Sequence, residues 1–190
     1  MGLTYEQATF KYNKAIKIVK ERQRRGLLGV SIQNSDNLYW IKYTYKHRQK
    51  IFELGDELGI PARTLYKDHD LNKYILYLVY DKQTVIDIHR LISNHHDRTA
   101  TDINILTETM LDWESARYTK ADKPFNAYDT LHKFYPDMID RIEPLLIKYN
   151  INKSTVGIDT RDISKLNSDV ESVNYRDIQS ELEEYLKQLG

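Results

Sequence analysis

Cysteine is absent from the 190 residues of this chain. Its absence excludes disulfide bonds, cysteine-ligated zinc ribbons and thiol catalysis. Any metal ion must therefore be held by histidine, carboxylate and water. Glycine and proline are scarce too, with seven and four residues. So few turn-forming residues are typical of a helical protein.

A surplus of charge of either sign is also missing, because 28 basic residues balance 28 acidic ones. No overall field draws the protein to nucleic acid or to a membrane surface, and we expect neither as a partner. The short basic run at Arg22, Arg24 and Arg25 is weak evidence against this expectation. No apolar run approaches the ~20 residues of a membrane span, and the N-terminus lacks the apolar stretch of a signal peptide. These absences predict a cytoplasmic protein.

Apolar residues recur every three or four positions through most of the chain, which predicts an all-α fold. The first helix begins after the N-cap Thr4 and ends near Gly26. Residues 26–37 mix apolar and turn-forming types and are predicted to be a loop. The further helices are predicted at about residues 38–58, 62–66, 71–80, 82–96, 102–118, 127–134, 136–149 and 175–189.

Three regions follow from this pattern. Residues 1–35 form an N-terminal helix and loop, residues 36–149 a helical core, and residues 150–190 a polar arm with a final amphipathic helix. The stretch 150–174 is rich in Ser, Asn and Asp and weakly periodic, which predicts a linker or a loosely packed arm. The apolar stripe of the last helix must be covered, either by the N-terminal helix or by a second subunit in a homodimer through the terminal helices.

Candidate metal ligands occur on four consecutive predicted helices. A single histidine in a helical protein is usually structural, so the argument depends on the whole set. Facing helices of a bundle core are where metal sites are assembled. The stretch KDHDLNK, residues 67–73, even places two ligands side by side. The candidates are His47, His69 with Asp70, His95 with His96, and Asp112.

Two other histidines fit this set less well. His89 precedes His95 by six residues, about 240° around a helix, so we expect His89 outside the same metal shell. His132 follows the ligand-bearing segments and is expected to be a surface or packing residue.

The order of the candidate ligands resembles the HD-domain superfamily of metal-dependent phosphohydrolases, whose signature is a His, an HD doublet and a distal Asp. HDLNK at residues 69–73 is similar to the HDxxK form of phosphodiesterase branches. More narrowly, GIP, HDLNKY, SNHH and MLDWESA resemble an uncharacterised bacterial and phage HD-like family with HDLSK, NHH and DW motifs. The resemblance covers about residues 40–135. It implies an HD-domain-like helical bundle with a metal site between helices.

The resemblance also implies roles for individual residues. The primary ligands would be His47, His69, Asp70 and Asp112. His95 and His96 would match the additional imidazoles of two-metal members, with Asp70 as a bridge. Mixed imidazole and carboxylate shells suit one or two divalent ions of Mn, Fe, Co or Ni.

The implied reaction is hydrolysis of a phosphate ester, with a nucleotide or another small phosphorylated metabolite as substrate. Asp70 would hold the ion that activates water, and Lys73 would hold a phosphate oxygen. Arg98 and Arg117 follow the ligand-bearing segments and are candidate substrate-binding residues, although such charges are often only solvated. A second reading is a non-catalytic nucleotide-binding or host-factor-binding protein of a phage or regulatory kind. In a third, the histidines are structural parts of a helical interaction protein.

Overall fold

The computed structural model describes residues 2–158 and 161–190, and within them helices are the only regular elements. The predicted all-α class is confirmed. Two 3-10 turns, at Asn94–His96 and Pro136–Met138, separate some of the helices. The helices are α1 (Tyr5–Arg24), α2 (Leu28–Gln33), α3 (Leu38–Leu58), α4 (Ala62–Leu65), α5 (Leu71–Tyr77), α6 (Lys82–Ile92), α7 (Ile103–Thr119), α8 (Ala127–Phe134), α9 (Ile139–Lys148), α10 (Ile163–Glu171) and α11 (Tyr175–Gln188).

The chain divides into two compact units, each built from segments that are distant in sequence. The first unit comprises Met1–Lys46, Asp68–Ser93 and Val170–Gly190. The second unit comprises His47–Lys67 and Asn94–Asp169. Each unit has its own hydrophobic core.

The first unit is organised around α1. Thr4 and Gln7 form a capping box, in which each side chain accepts a hydrogen bond from the backbone N–H of the other. The inner side of α1 buries Ala8, Ala15 and Val19 completely. The two alanines let α5 and α6 pack closely against α1. Helix α1 therefore packs along most of its own length on the core of the first unit.

The last helix, α11, belongs to the same core. Its residues Ile178, Leu182 and Leu186 are buried, and the helix packs on α1, α2 and α5. Tyr74 of α5 donates a hydrogen bond to Glu181 at 2.9 Å. The apolar stripe of α11 is thus covered within its own unit, and the covering does not require a second subunit.

The second unit is centred on α7, which packs against α8 and α9. Trp113 of α7 stacks on Tyr135 with ring centroids 4.6 Å apart. The buried carboxylate of Glu114 accepts a hydrogen bond from the backbone N–H of Ala127 at 2.9 Å. This bond ties the start of α8 to the middle of α7.

Two segments predicted as irregular contain helices. Residues 26–37 were predicted as a loop, but α2 occupies Leu28–Gln33 and buries Leu28 and Ile32, one turn apart. A helix of six residues is too short to establish a periodic pattern. Within 150–174, Ile163–Glu171 forms α10. The prediction of an irregular linker was therefore wrong for these residues.

Hydrogen bonds hold parts of the polar arm against the end of α7 and against α8. Arg161 donates hydrogen bonds of 2.8 Å to the carbonyls of Arg117, Lys120 and Lys123, at and beyond the end of α7. Thr155 donates from its backbone N–H to Asp129 at 3.0 Å. Side-chain hydrogen bonds of this kind leave no hydrophobic periodicity in the sequence. In the described part of the chain, no helix is long and apolar enough to cross a membrane.

Candidate metal centre

The backbone at Asp70 explains why two ligand types stand side by side. Asp70 has φ +61° and ψ 3°, a left-handed conformation that is uncommon outside glycine. It occupies the N-cap position of α5, yet its carboxylate makes no capping hydrogen bond. The carboxylate therefore remains available for cationic partners and metal ions.

The surroundings of Asp70 in the first unit are buried and positively charged. Its side chain is 1% exposed. Lys73 Nζ lies 2.7 Å from Oδ2, His89 Nε2 lies 3.0 Å from Oδ1, and His69 Nε2 lies 3.5 Å from Oδ2. Burial raises the pKa of Asp70, but His69, Lys73 and His89 outweigh it and hold the pKa well below its usual range. Asp70 is therefore a carboxylate, the form that ligates metal.

His89 does not lie where the sequence predicted. It was expected to be outside the shell of the other ligands, but it is buried and its Nε2 reaches Asp70. The expectation assumed one helix over 82–96, whereas α6 ends at Ile92. Ser93 is extended and a 3-10 turn follows, so the angular spacing of a helix does not apply between His89 and His95.

The orientation of the His89 ring is set by two polar neighbours. Its Nδ1 lies 2.9 Å from Asn72 Oδ1 and 3.0 Å from Ser93 Oγ. Asn72 also donates from Nδ2 to Ser93 Oγ at 3.1 Å. With Nδ1–H donating to Asn72, the proton on Nε2 is the one that faces Asp70, and a metal ion bound in place of that proton would have Nε2 as its ligand.

A second imidazole–carboxylate pair lies in the second unit. His47 Nε2 is 2.8 Å from Asp112 Oδ1, and the two side chains are 3% and 15% exposed. Ser115 Oγ donates to the carbonyl of Asp112 at 2.9 Å and lies 3.1 Å from His47 Nδ1. The Ser115 hydroxyl accepts from Nδ1–H of His47 in one tautomer, while it donates to the Asp112 carbonyl, and it donates to Nδ1 in the other tautomer.

Two chemical states satisfy the 2.8 Å contact between His47 Nε2 and Asp112. With the ring proton on Nε2, His47 donates a hydrogen bond to the carboxylate. With the ring proton on Nδ1, the Nε2 lone pair and the carboxylate face the same point, and a metal ion there would be bound by both. The pair therefore has the chemistry of a metal-binding pair.

Further ligand types stand in the second unit. His95, on the 3-10 turn, has Nδ1 3.4 Å from Glu108 Oε1, and its ring lies 4.2 Å from that of His96. Thr109 Oγ1 donates to the His95 carbonyl at 2.9 Å and fixes the turn against α7. Glu108 was not predicted as a ligand. Its position one turn before Asp112 on α7 was a signal in the sequence that could have found it.

The described residues thus contain groups of buried His, Asp and Glu side chains that could hold a metal ion. These groups include the six predicted ligands and add His89 and Glu108. Their members are His47, His69, Asp70, His89, His95, His96, Glu108 and Asp112.

The predicted phosphate-binding residues have other partners. Lys73 is paired with Asp70. The guanidinium of Arg98 forms a bidentate ion pair with Asp137 and is half exposed. Arg117 lies near the end of α7, with its guanidinium 5.4 Å from the ring centre of Tyr118. As expected, His132 is on the surface, where its Nε2 lies 3.2 Å from Glu143.

A comparison with known protein families finds no match, and comparisons with curated proteins and with solved structures find no significant match either. The resemblance to the HD superfamily therefore depends on the motifs alone.

Proposed function

We propose that the protein is a metal-dependent phosphohydrolase that acts on a nucleotide or another small phosphate ester. The observation that carries this proposal is the pair His47–Asp112, in which a buried imidazole nitrogen lies 2.8 Å from a carboxylate oxygen. A divalent ion would be bound by both groups at once. Buried carboxylates and imidazoles of this kind are expensive to keep without a cation, because each must be desolvated.

The proposed primary ligands are His47, His69, Asp70 and Asp112. A second ion would use His95 and His96, with Asp70 as a bridge, and His89 is added to these because it contacts Asp70. The chemistry of the set suits Mn, Fe, Co or Ni. When bound, an ion of this type lowers the pKa of a coordinated water and makes it a nucleophile near neutral pH.

Other side chains would orient the ligands and bind the phosphate. Ser115 and Asn72 would accept from the Nδ1–H of His47 and His89 and so hold both rings with Nε2 as the ligating nitrogen. Lys73 is one-fifth exposed and already balances Asp70. A phosphate that enters the site offers Lys73 a second anionic partner, and Lys73 can then neutralise charge that develops on the phosphoryl oxygens. Arg98 is not assigned a role, because Asp137 already pairs with it.

Metal analysis of the purified protein and a hydrolysis screen test this proposal. Phosphomonoesters, phosphodiesters and nucleotides are incubated with Mn, Fe, Co, Ni or Mg. Asp70→Ala should abolish both tight metal binding and turnover. The matched control is Asp68→Ala, which removes an exposed carboxylate two residues away and should leave both unchanged.

The outcomes separate the proposed enzyme from its alternatives. Nucleotide binding without turnover under every metal would favour a non-catalytic nucleotide-binding protein. Failure to bind any of the five metals would contradict the proposed centre and favour structural histidines.

A further inference from the structure

The charge of this neutral chain is unevenly distributed, and its basic surplus lies on α1. The first 25 residues contain seven basic and two acidic residues, so the rest of the chain is acidic on balance. Two of the basic side chains have structural roles. Lys20 donates to the carbonyl of Leu189, and Arg22 donates to that of Leu78. The other cations of α1 are candidates for binding an external anion.

The outer side of α1 combines cations with an exposed aromatic ring. Phe10 is 71% exposed, the highest value among the large hydrophobic residues. Lys14 and Lys17 lie one and two turns further along the same side and are exposed. Neither lysine makes an ion pair with any described residue. Arg25, exposed at the end of the helix, extends the row, which we call the basic stripe: Phe10, Lys14, Lys17 and Arg25.

An acidic residue, Glu21, lies between Lys17 and Arg25, but it does not cancel the charge of the basic stripe. Glu21 is bound by Arg24, whose Nε and Nη2 donate to the two carboxylate oxygens at 2.8 and 2.6 Å. Glu21 and Arg24 are therefore mutually neutralised. From Phe10 to Arg25 the stripe extends about 22 Å, at 1.5 Å per residue.

The arrangement favours one class of occupant over two others. A second copy that docks through the same stripe about a two-fold axis would place the same cations opposite each other, which is repulsive. A membrane-bound amphipathic helix inserts an apolar face, but the apolar side of α1, with Ala8, Ala15 and Val19, is buried in the protein core. A polyanion with flat aromatic groups uses both parts of the stripe, because phosphates pair with the cations and a base stacks on the ring.

We propose that the basic stripe of α1 binds single-stranded nucleic acid, with Lys14, Lys17 and Arg25 on the phosphates and Phe10 stacked on a base. The proposal depends on α1 alone and is independent of the metal centre. It departs from the expectation, drawn from the zero net charge, that nucleic acid is not a partner. Net charge averages over the whole surface, whereas binding depends on the local field.

Fluorescence anisotropy with a labelled single strand of roughly 12 nucleotides tests the proposal. EDTA is present, so that hydrolysis at a metal centre cannot remove the probe. We expect binding that weakens with salt, with a log–log slope of about −2 for three neutralised phosphates. The triple substitution Lys14→Ala, Lys17→Ala and Arg25→Ala should bring the slope close to zero. The charge-matched control replaces three exposed lysines elsewhere by alanine and should leave the slope unchanged. These lysines are Lys148, Lys153 and Lys187.

The aromatic contact has its own pair of variants. Phe10→Ala should weaken binding about 5- to 150-fold with little change in slope, and Phe10→Trp should retain it. Asp70→Ala should bind the strand like the unchanged protein, which separates this inference from the proposed metal chemistry. Three results would overturn it: no binding at low salt, equal losses in both triple variants, or tighter binding to vesicles with anionic lipid than to the strand.

Discussion

At the scale of single residues, Ser115 is the most informative side chain that the sequence did not single out. It lies between the carbonyl of Asp112 and the Nδ1 of His47, and it is completely buried. When its hydroxyl accepts from the Nδ1–H of His47, Nε2 is the nitrogen that would ligate a metal. A serine in a helix carries no sign of this role in the sequence.

Ser115→Ala tests that role. Without the acceptor, His47 can take either tautomer and its ring is less well oriented, so we predict a 10- to 100-fold loss of metal affinity. Isothermal titration with Mn or Co measures it. Ser164→Ala, on the exposed side of α10, is the control. Unchanged affinity in Ser115→Ala would show that the hydroxyl does not position the ligand.

Lys73→Ala should separate substrate binding from metal binding. The ion remains, while the phosphate loses a charge-assisted contact of about 1.5–3 kcal/mol, which corresponds to a loss of roughly 10- to 150-fold in kcat/KM. Steady-state kinetics and metal content are measured on the same preparation. A loss of metal together with activity would instead make Lys73 a support of Asp70.

At the scale of elements, a buried acid of α7, Glu114, connects this helix to α8 by its hydrogen bond to Ala127. Burial raises the pKa of Glu114, the Ala127 N–H and Arg117 lower it, and Asp129 raises it, with a net increase. The pKa of Glu114 is thus higher in the folded state than in the unfolded state, where it is near 4.5. The free energy of unfolding is therefore greatest below pH 4.5 and declines as the pH rises through the pKa of the folded state.

Glu114→Gln tests this linkage. The amide keeps an oxygen for the Ala127 N–H but cannot ionise, so the decline in the free energy of unfolding above pH 4.5 should become smaller. Urea denaturation between roughly pH 4.5 and 8 gives the two curves. Glu57→Gln, which changes an exposed carboxylate, should follow the unchanged protein. Parallel curves for Glu114→Gln and the unchanged protein would contradict the argument.

At the scale of the whole molecule, the first unit depends on its C-terminal helix. Because α11 contributes to the core with α1, α2 and α5, the end of the chain is part of the unit that contains Asp70 and His89. The three-region division of the chain remains a prediction about domains.

Leu182→Ala measures this dependence. Leu182 is completely buried, so its truncation should cost about 2–5 kcal/mol, a large part of the 5–15 kcal/mol that is typical of a domain. Thermal or urea unfolding gives the value. Leu189→Ala, at the partly buried C-cap of the helix, should cost less. If the two variants were equally stable, α11 would not be a structural part of the unit.

Some properties of this protein follow from the sequence alone. Helical periodicity is a local property, so the class and the long helices α1, α3 and α7 could be predicted within a few residues. The absence of cysteine and the order of His47, His69–Asp70, His95–His96 and Asp112 were enough to predict metal ligands of the imidazole and carboxylate type. Both conclusions use residue type and spacing, which the chain shows directly.

Other properties were decided only by the tertiary structure. The left-handed backbone of Asp70 and the end of α6 at Ile92 determine that His89 meets Asp70, and helical spacing predicted the opposite. The contacts of Ser115 and Arg161 join residues more than 35 positions apart. A hydrogen bond between distant segments leaves no periodic signal in either segment, because its partner is chosen by how the helices pack and not by the neighbours in sequence.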